Sequence, residues 1–358
     1  MHRDRRENLL KESGADCVVL VNIEGSSRPS LIYYTGFTGT FATLVISKIG
    51  EWLITDSRYT EQAAKQTKMS IVKYGASKNF YEFLRDFIKE KKCNLIGVEK
   101  ERLSVKVFES IFNGFEIVEV DQIIRNQRMI KSKQEIEKIE KAIDIAQKAF
   151  LEMMNFIKAG RTEREVAAYL EYKMKSLGAE GPSFDTIIAS GYRSAMPHGV
   201  ASNKVIEEGD LIVVDFGCIY DGYVSDITRV VSVGEPTDEM RKVHSIVLNA
   251  QREAIENAKN GMRGDEIDNF ARRYIERAGY GDKFGHGLGH GIGLEVHEAP
   301  RVSKLSKDII KKGMVFTIEP GIYLEGKFGV RIEDDVVMEK DRVSVLTSLD
   351  RDIFVIKS

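Results

Sequence analysis

The sequence predicts two domains: an α/β domain over residues 1–124 and an α+β domain, built from two related halves, over residues 125–358. A length of 358 residues suits two domains of ordinary size. Short β-rich segments alternate with helical spacing in the first part of the chain, which is typical of an α/β domain. An internal repeat in the second part indicates that its two halves are built alike.

The α/β domain is predicted from short apolar segments rich in β-branched residues. The expected strands are 17–22, 42–47, 52–55, 95–98 and 116–120, and the expected helix is 80–91. We find no group of catalytic residues in this domain. The aromatic stretch 33–37 is interpreted as core or interface packing, with a substrate-lining segment as the alternative.

A long amphipathic helix is predicted at the start of the second domain. Ser132 and Glu135 have the spacing of a capping box, in which each side chain satisfies a free backbone N–H group. Apolar residues then recur at helical spacing, at Ile136, Ile139, Ile143, Ala146 and Phe150.

The internal repeat follows this helix. Four residues, Gly160, Glu165, Val166 and Gly178, recur at a constant spacing as Gly261, Glu266, Ile267 and Gly279. Segment 209–217 resembles segment 313–321, and the alignment places Asp215 opposite Glu319. The repeat is far too long for a solenoid unit, so we interpret it as two related α+β halves that each end a strand in a carboxylate.

The composition argues against several classes of protein. The formal net charge of −2 does not indicate a nucleic-acid or membrane-surface partner. The three cysteines are far apart and form no disulfide framework or CxxC metal motif. No apolar run approaches the roughly 18 residues of a membrane helix, and the charged N-terminus lacks a signal core. We therefore expect a soluble, cytoplasmic protein.

Asp215 and Asp226 are predicted to be neighbours on one β-hairpin. Asp221-Gly222 is a strong signal for a two-residue turn, and such a turn places Asp215 opposite Thr228. Because side chains alternate along a strand, Asp226 and Thr228 share a face. Asp215 and Asp226 then become diagonal neighbours, about 7–8 Å apart at Cα. Two carboxylates at this spacing can hold a metal ion between them.

A second pair of acidic residues lies near the C-terminus. Segment 314–319 is predicted to be a strand that ends at Glu319. Segment 329–337 is predicted to be a single strand that carries Arg331 and Glu333 on one face.

Four of the six histidines lie close to glycines in two motifs. His286, His290 and His297 belong to or follow the glycine-rich segment 285–293, and His198 lies in Met196-Pro197-His198-Gly199. Gly287 replaces the glutamate of an HExxH motif, and five glycines in nine residues disfavour a helix, so a zincin-type site is disfavoured too. A bent backbone that brings imidazoles close to a ligand fits better.

Four converging carboxylates would repel one another and raise one another's pKa values unless cations lie between them. Two divalent cations balance four carboxylates formally, and paired ions are a known hydrolytic device that generates a bridging hydroxide nucleophile. Oxygen ligands with one imidazole suit Mn²⁺, Co²⁺, Fe²⁺ or Zn²⁺, among which the sequence does not choose.

Five motifs in this order resemble the methionine-aminopeptidase-like M24 metallopeptidases, which have the pita-bread fold. The motifs are Val214-Asp215-Phe216-Gly217, Ser225-Asp226-Ile227-Thr228-Arg229, segment 287–293 around His290, Thr317-Ile318-Glu319-Pro320-Gly321 and Val330-Arg331-Ile332-Glu333-Asp334. Segments 31–37 and 56–59 are similar to the creatinase-like N-terminal domain of the Xaa-Pro aminopeptidase and Xaa-Pro dipeptidase branch.

The resemblance implies a role for each matching residue. It implies that Asp226 and Glu333 bridge two metal ions, that Asp215 binds one ion, and that His290 and Glu319 bind the other. Glu319 would also transfer protons, together with His198 and His297, which would line the substrate site. His286 and Arg331 would orient the substrate or support the ligands.

The expected function is therefore that of a two-metal exopeptidase, with Mn²⁺ or Co²⁺ favoured and Zn²⁺ or Fe²⁺ as alternatives. The resemblance favours an Xaa-Pro aminopeptidase (aminopeptidase P), which cleaves peptides with proline at the second position. Xaa-Pro dipeptidase (prolidase) is the alternative; methionine aminopeptidase, a creatinase-like hydrolase and a non-catalytic peptide-binding relative are weaker ones. The resemblance also implies a homodimer, without nucleic-acid or membrane partners.

Overall fold

The computed structural model describes residues 2–75 and 78–357, and their contacts divide the chain into unit 1, residues 1–128, and unit 2, residues 129–358. The sequence placed the boundary after residue 124. Within the described residues, no helix is both long and apolar enough to span a bilayer.

Unit 1 is built on one mixed six-stranded sheet. Its elements are α1 (His2–Ser13), β1 (Cys17–Asn22), α2 (Arg28–Thr35), β2 (Ala42–Ser47), β3 (Gly50–Thr55), α3 (Thr60–Gln66), β4 (Ser70–Lys73), α4 (Phe80–Glu90), β5 (Leu95–Val98), a 3₁₀ turn (Lys100–Arg102), α5 (Val105–Phe112), β6 (Glu116–Glu119) and α6 (Asp121–Met129). The strand order is β4-β3-β2-β1-β5-β6. The predicted strands are confirmed, and β3 begins two residues earlier than predicted, at Gly50.

The aromatic stretch of unit 1 packs in the core, as interpreted from the sequence. Tyr34 and Phe37 are 0% exposed. Tyr34 donates a hydrogen bond from its hydroxyl to Gln127 Oε1, at 2.9 Å. The ring of Tyr33 meets that of Tyr34 edge-on. These contacts leave Tyr34 and Phe37 no free face for a substrate.

Unit 1 also buries a carboxyl group with an unusual titration. Glu99 is 5% exposed, Ser30 donates a hydrogen bond to its Oε1, and Oε2 has no hydrogen-bond partner among the described residues. Burial raises the pKa of Glu99 from its usual value of 4.5 to about 7, against the opposing effects of Ser30, Arg102 and Arg128. The folded protein therefore holds this proton more tightly than the unfolded chain does.

We expect Glu99→Gln to stabilise unit 1 above neutral pH. Because the folded-state pKa is raised, the stability linked to this proton is complete below about pH 4.5 and is lost as pH rises through about 7. At pH 8, Glu99→Gln should raise the free energy of unfolding by about 1–2 kcal/mol and flatten its pH dependence. Urea unfolding followed by the fluorescence of Trp52, the only tryptophan, measures this in unit 1. Exposed Glu101→Gln is the control, and equal pH profiles for both variants would contradict the prediction.

The first half of unit 2 places two helices beside a four-stranded sheet. Its elements are α7 (Lys133–Met153), α8 (Glu163–Ser176), β7 (Gly181–Pro182), β8 (Ile187–Ser190), a 3₁₀ turn (Gly191–Ala195), β9 (Leu211–Phe216), β10 (Cys218–Tyr220), β11 (Tyr223–Val224) and β12 (Ile227–Val233). The predicted capping box is observed at the start of α7, between Ser132 and Glu135. The apolar face of α7 packs in the core with residues of β9 and β12.

The second half repeats this construction. Its elements are α9 (Asp238–Asn257), α10 (Gly264–Arg277), a 3₁₀ turn (Gly281–Lys283), β13 (Gly289–Gly291), β14 (Glu298–Val302), β15 (Val315–Ile318), β16 (Gly321–Leu324), β17 (Phe328–Arg331), β18 (Asp334–Met338), β19 (Val343–Val345) and β20 (Phe354–Ile356). The sheets are β20-β12-β9-β8, β14-β13-β15-β18-β19, β11-β10-β7 and β16-β17.

The backbone reproduces the sequence repeat closely. Gly160 donates from its N–H to Ile206 O in the first half, and Gly261 donates in the same way to Ile310 O in the second. Isolated bridges also correspond, since Thr162 pairs with Val205 and Arg263 pairs with Ile309. Each half is therefore a helix pair followed by a strand that leads to an acidic residue.

Candidate metal centre

The hairpin that carries Asp215 and Asp226 forms in the predicted register. Thr228 pairs with Asp215 across β9 and β12. Asp221 and Gly222 have φ angles of 47° and 78°, as a two-residue turn requires. Asp226 lies outside the paired residues, and its backbone N–H donates to Asp335 Oδ2 at 3.0 Å. The hairpin thus holds both aspartates while leaving the Asp226 side chain to face the site.

The predicted single strand 329–337 is wrong, because it is divided between two sheets. Arg331 ends β17, Asp334 begins β18, and the break falls at Ile332-Glu333. Glu333 leaves the strand direction because it bridges to Thr228 of the first half, with its N–H donating to Thr228 O at 3.2 Å. Thr228 Oγ1 also donates to Glu333 Oε2 at 2.6 Å. The break brings the carboxylate of the second half against the hairpin of the first.

The glycine-rich segment forms a short strand, β13, rather than a helix. A Cβ atom at Gly289 would lie 1.9 Å from Thr317 O, so only glycine allows this approach of two backbones. His290, the next residue, donates from its backbone N–H to Thr317 Oγ1 at 3.2 Å. The tight contact with β15 therefore places His290 beside Glu319, which follows that strand.

The structure brings the five predicted metal ligands together. Ligand atoms of Asp226, His290 and Glu333 all lie within 4.8 Å of one another. His290 Nε2 is 3.4 Å from Glu319 Oε1 and 3.7 Å from Asp226 Oδ2. Asp215 lies next to this group, because Thr228 pairs with Asp215 on one side and bridges to Glu333 on the other.

The orientation of the His290 ring indicates that positive charge belongs among these ligand atoms. Its Nδ1 is 3.3 Å from Gly291 O, which can only accept, so Nδ1 carries the proton and Nε2 presents a lone pair. Burial lowers the pKa of His290 to about 3, with His297 acting in the same direction, so the ring is neutral. A lone pair that faces two carboxylates is unfavourable unless a proton or a metal cation lies between them.

The carboxylates show the same need for positive charge. Burial and the neighbouring Glu333 raise the pKa values of Asp226 and Glu319 well above their usual range. Burial and Asp215 raise the pKa of Glu333 to about 8. Asp215 Oδ1 is buried without a hydrogen-bond partner in the part of the chain that the structure describes. Buried acidic oxygens around a neutral imidazole fit divalent cations, which replace the protons these groups would otherwise retain.

Arg331, Tyr323 and His286 form a chain of hydrogen bonds beside the carboxylates. Arg331 donates from Nη2 to Asp215 Oδ2 at 2.6 Å and from Nη1 to the Tyr323 hydroxyl at 2.9 Å. The Tyr323 hydroxyl lies 2.9 Å from His286 Nε2, and His286 Nδ1 lies 2.7 Å from Gly287 O. The carbonyl must accept, so Tyr323 donates to His286, whose pKa burial and Arg331 lower to about 4.

Sequence reasoning missed two residues of this site, Tyr323 and Thr228. Tyr323 was not among the site residues predicted from the sequence, and Thr228 entered only as a register position. Thr228 Oγ1 accepts a hydrogen bond from Arg331 Nε at 3.1 Å while it donates to Glu333. The sequence marks Tyr323 and Thr228 only by their proximity to the acidic motifs, and this proximity does not distinguish them from ordinary strand residues.

His297 and His198 complete the predicted set. The His297 ring stacks edge-on against the ring of His290, with centroids 4.3 Å apart. His198 is exposed, and it lies close enough to lower the pKa values of His297 and His286, after the larger effect of burial. Each predicted site residue thus lies in or beside one cluster.

Two family matches cover most of the chain. Residues 137–340 match metallopeptidase family M24, and residues 3–130 match the creatinase/prolidase N-terminal domain. The chain is 43% identical over 357 residues to a protein named Xaa-Pro dipeptidase from Pyrococcus furiosus, covering 98% of this chain and 99% of that one.

Solved structures match the whole fold. The X-Pro aminopeptidase structure from Thermotoga maritima has a TM-score of 0.93 and 49% identity, covering 99% of both chains. The Xaa-Pro dipeptidase structure from Bacillus anthracis has a TM-score of 0.94 and 39% identity, covering 99% of this chain and 100% of that one. These matches confirm the predicted fold class, a creatinase-like α/β domain followed by a pita-bread domain.

Proposed function

We propose that this chain, which belongs to metallopeptidase family M24 and hydrolyses peptide bonds with divalent metal ions, is an Xaa-Pro dipeptidase. The observation that supports hydrolysis at this site is the lone pair of neutral His290, which faces the oxygens of Glu319 and Asp226 at 3.4 and 3.7 Å. The names of two relatives, which cover 98% and 92% of this chain, support the Xaa-Pro specificity.

We propose that the site holds two ions. Four carboxylates and one imidazole exceed the three protein ligands typical of a single catalytic ion, and two divalent cations carry a charge equal to that of the carboxylates. Asp226 and Glu333 would contact both ions, Asp215 one, and His290 with Glu319 the other. When bound, such ions lower the pKa of a water molecule and polarise a carbonyl. Mn²⁺ and Co²⁺ are our first choices, and Zn²⁺ and Fe²⁺ suit the same ligands.

The remaining residues would bind substrate and move protons. An Xaa-Pro bond has no N–H group, so recognition depends on donors directed at its carbonyl oxygen. His198 and His297, at the edge of the cluster, can donate to that oxygen. Glu319 would also take part in proton transfer, as the family resemblance implies. Arg331, held by Asp215 and Tyr323, and His286 would orient the substrate.

The sequence analysis favoured aminopeptidase P, whereas the relatives better support the dipeptidase. An enzyme for dipeptides must accommodate a proline carboxylate, where a longer peptide has a neutral amide. Arg331 is a cationic side chain in contact with the carboxylate cluster, through Asp215, and it is 4% exposed. The aminopeptidase remains the second candidate because the Thermotoga maritima structure carries that name.

A comparison of peptide lengths tests the choice. With Mn²⁺ or Co²⁺ loading verified by elemental analysis, we expect kcat/KM for Ala-Pro to exceed that for Ala-Pro-Ala by about tenfold or more, since one well-placed polar contact has that effect. Ala-Ala is the control for proline specificity. Faster release of alanine from Ala-Pro-Ala would favour the aminopeptidase. Failure to cleave either peptide at full metal occupancy would exclude both.

We also propose, from the family resemblance alone, that the chain forms a homodimer. Size-exclusion chromatography with light scattering measures its mass, and a monomer at micromolar concentration would exclude this state.

A further inference from the structure

Glu163, the first residue of α8, is a buried carboxylate that is not part of the metal cluster. It is 0% exposed. Its two oxygens accept hydrogen bonds from three residues. Oε1 accepts from the N–H of Ser190 at 2.8 Å and from its hydroxyl at 2.9 Å, and Oε2 accepts from the N–H of Ser202 at 2.9 Å and from its hydroxyl at 2.7 Å. Arg193 Nε contacts both oxygens, at 3.3 and 3.0 Å.

Ser190 and Ser202 lie at the two ends of one loop, residues 191–201, which carries His198. Ser190 ends β8, and beyond the 3₁₀ turn at its start the loop has no regular structure. Arg193 ties the loop internally, since its Nη2 donates to Val200 O at 2.7 Å. The Glu163 carboxylate therefore connects the two ends of the loop, and through Arg193 it also binds residues within the loop.

The loop is also connected to the candidate metal centre. Pro197 O, adjacent to His198, accepts a hydrogen bond from Arg331 Nη1 at 3.1 Å. The same guanidinium contacts Asp215 through Nη2. Movement of the loop would thus displace His198 and remove a contact of Arg331.

The second half of unit 2 has a similar arrangement, about one turn farther along its second helix. Asp268 on α10 is 0% exposed, and its Oδ1 accepts from the N–H of Leu288 at 3.1 Å. Arg272, which pairs with Asp268, donates to the carbonyl oxygens of Phe284 and His286. In each half, a buried carboxylate on the second helix anchors the segment that carries a site histidine.

We infer that Glu163 is a positioning residue, which fixes the loop 191–201 so that His198 faces the metal cluster. This inference rests on the proposed function, in which His198 contacts the substrate. Glu163 is not one of the proposed metal ligands or substrate-binding residues, and it acts through the loop.

The negative charge is needed because both oxygens must accept. In Glu163→Gln, one oxygen becomes an NH₂ group, which cannot accept from a backbone N–H. Either Ser190 or Ser202 is then left with an unsatisfied buried N–H, and the loop detaches at that end. The volume of the side chain is unchanged, so a cavity does not contribute to the effect.

Glu163→Gln tests the inference, with Glu165→Gln as the matched control. Glu165 lies two residues after Glu163 on the same helix; its carboxylate accepts hydrogen bonds from Thr162 in the capping box and lies 4.0 Å from Arg161 Nη1. Both variants lose one acidic group in the first turn of α8. Hydrogen–deuterium exchange across residues 191–202 reports loop order, and kcat/KM for Ala-Pro per metal-loaded, folded molecule reports the site.

We expect Glu163→Gln to exchange about tenfold faster across residues 191–202, with kcat/KM about tenfold lower and with wild-type metal content. Glu165→Gln should stay within about twofold of wild type in both measurements. If Glu163→Gln does not fold, Ser202→Ala replaces it in the test, because it removes one donor only. It should exchange about threefold faster across residues 191–202, with kcat/KM about threefold lower.

Two results would overturn the inference. Exchange in Glu163→Gln equal to that in Glu165→Gln would show that the loop does not depend on the carboxylate. Faster exchange with unchanged kcat/KM would show that the loop does not position a group for the reaction. If wild-type protein does not cleave Ala-Pro, the proposed function fails, and the exchange measurement still decides whether Glu163 orders the loop.

Discussion

Asp226→Asn should reduce kcat/KM by at least about 10³-fold and remove most of the bound metal. Ligand atoms of Asp226, His290 and Glu333 lie within 4.8 Å of one another, so one lost charge affects the whole group. Asparagine has nearly the same shape, keeps the backbone hydrogen bond from its N–H to Asp335, and offers one neutral oxygen in place of a carboxylate. Elemental analysis after dialysis and steady-state kinetics with Ala-Pro measure the two effects.

The turn of the same hairpin supplies the control for this variant. Asp221 is exposed, pairs with Lys138 and has a positive φ angle of 47°, which asparagine tolerates. Asp221→Asn should keep metal content and kcat/KM within about twofold of wild type. If Asp226→Asn binds as much metal as Asp221→Asn and cleaves as fast, the metal role of Asp226 is wrong.

Metal binding to the wild-type protein should also depend on pH in a definite direction. Without cations, burial and Glu333 raise the pKa of Asp226, and burial and Asp215 raise the pKa of Glu333 to about 8. Protons therefore compete with the metal for both carboxylates. Metal binding to the wild type should therefore release protons and weaken as pH falls below about 8. Isothermal calorimetry in two buffers of different ionisation enthalpy measures the number of protons released.

Arg229→Met should produce the largest loss of stability in unit 2, about 3–5 kcal/mol. The Arg229 side chain is 0% exposed, as is that of its partner Asp334, 2.7 Å away. Its other N–H groups donate to the carbonyl oxygens of Glu333, Asp350, Leu349 and Thr228. Methionine fills similar space but leaves these acceptors without their donor and Asp334 with less positive charge.

The neighbouring Arg351 gives a matched comparison for Arg229. Its Nε donates to Asp334 Oδ2 at 2.6 Å, but its side chain is 25% exposed. Water can replace this partner, so Arg351→Met should cost about 1 kcal/mol. Urea unfolding monitored by hydrogen exchange in β12 reports unit 2, while Trp52 fluorescence reports unit 1. A cost for Arg229→Met no larger than that for Arg351→Met would contradict the prediction.

Local signals in the sequence were sufficient for many elements. The strands of unit 1, the capping box at Ser132 and the Asp221-Gly222 hairpin each depend on residues a few positions apart. The hairpin register followed from turn geometry alone, since a two-residue turn determines which residues face each other. The repeat predicted two similar halves because corresponding glycines occupy corresponding left-handed positions.

Such local signals do not predict contacts between residues that are far apart in the chain. The break at Ile332-Glu333 exists because Glu333 bridges to Thr228, more than one hundred residues earlier in the chain. Apolar and polar residues alternate across the break, from Val330 to Glu333, and the alternation is interrupted only beyond it, at Asp334-Asp335, so it does not mark the break. Tyr323 and Glu163 are similar cases, since each is defined by partners that only folding brings near.

The sequence by itself determined the fold class, the order of the acidic and histidine motifs, and the facing of Asp215 and Thr228, because these depend on periodicity and turn chemistry. Only the tertiary structure decided that the His290 lone pair faces Asp226 and Glu319, that Arg331 reaches Asp215 through space, and that Glu163 holds the His198 loop. The physical reason is that side-chain charge and burial depend on neighbours from other elements. The sequence specifies those neighbours only through the complete packing of both halves.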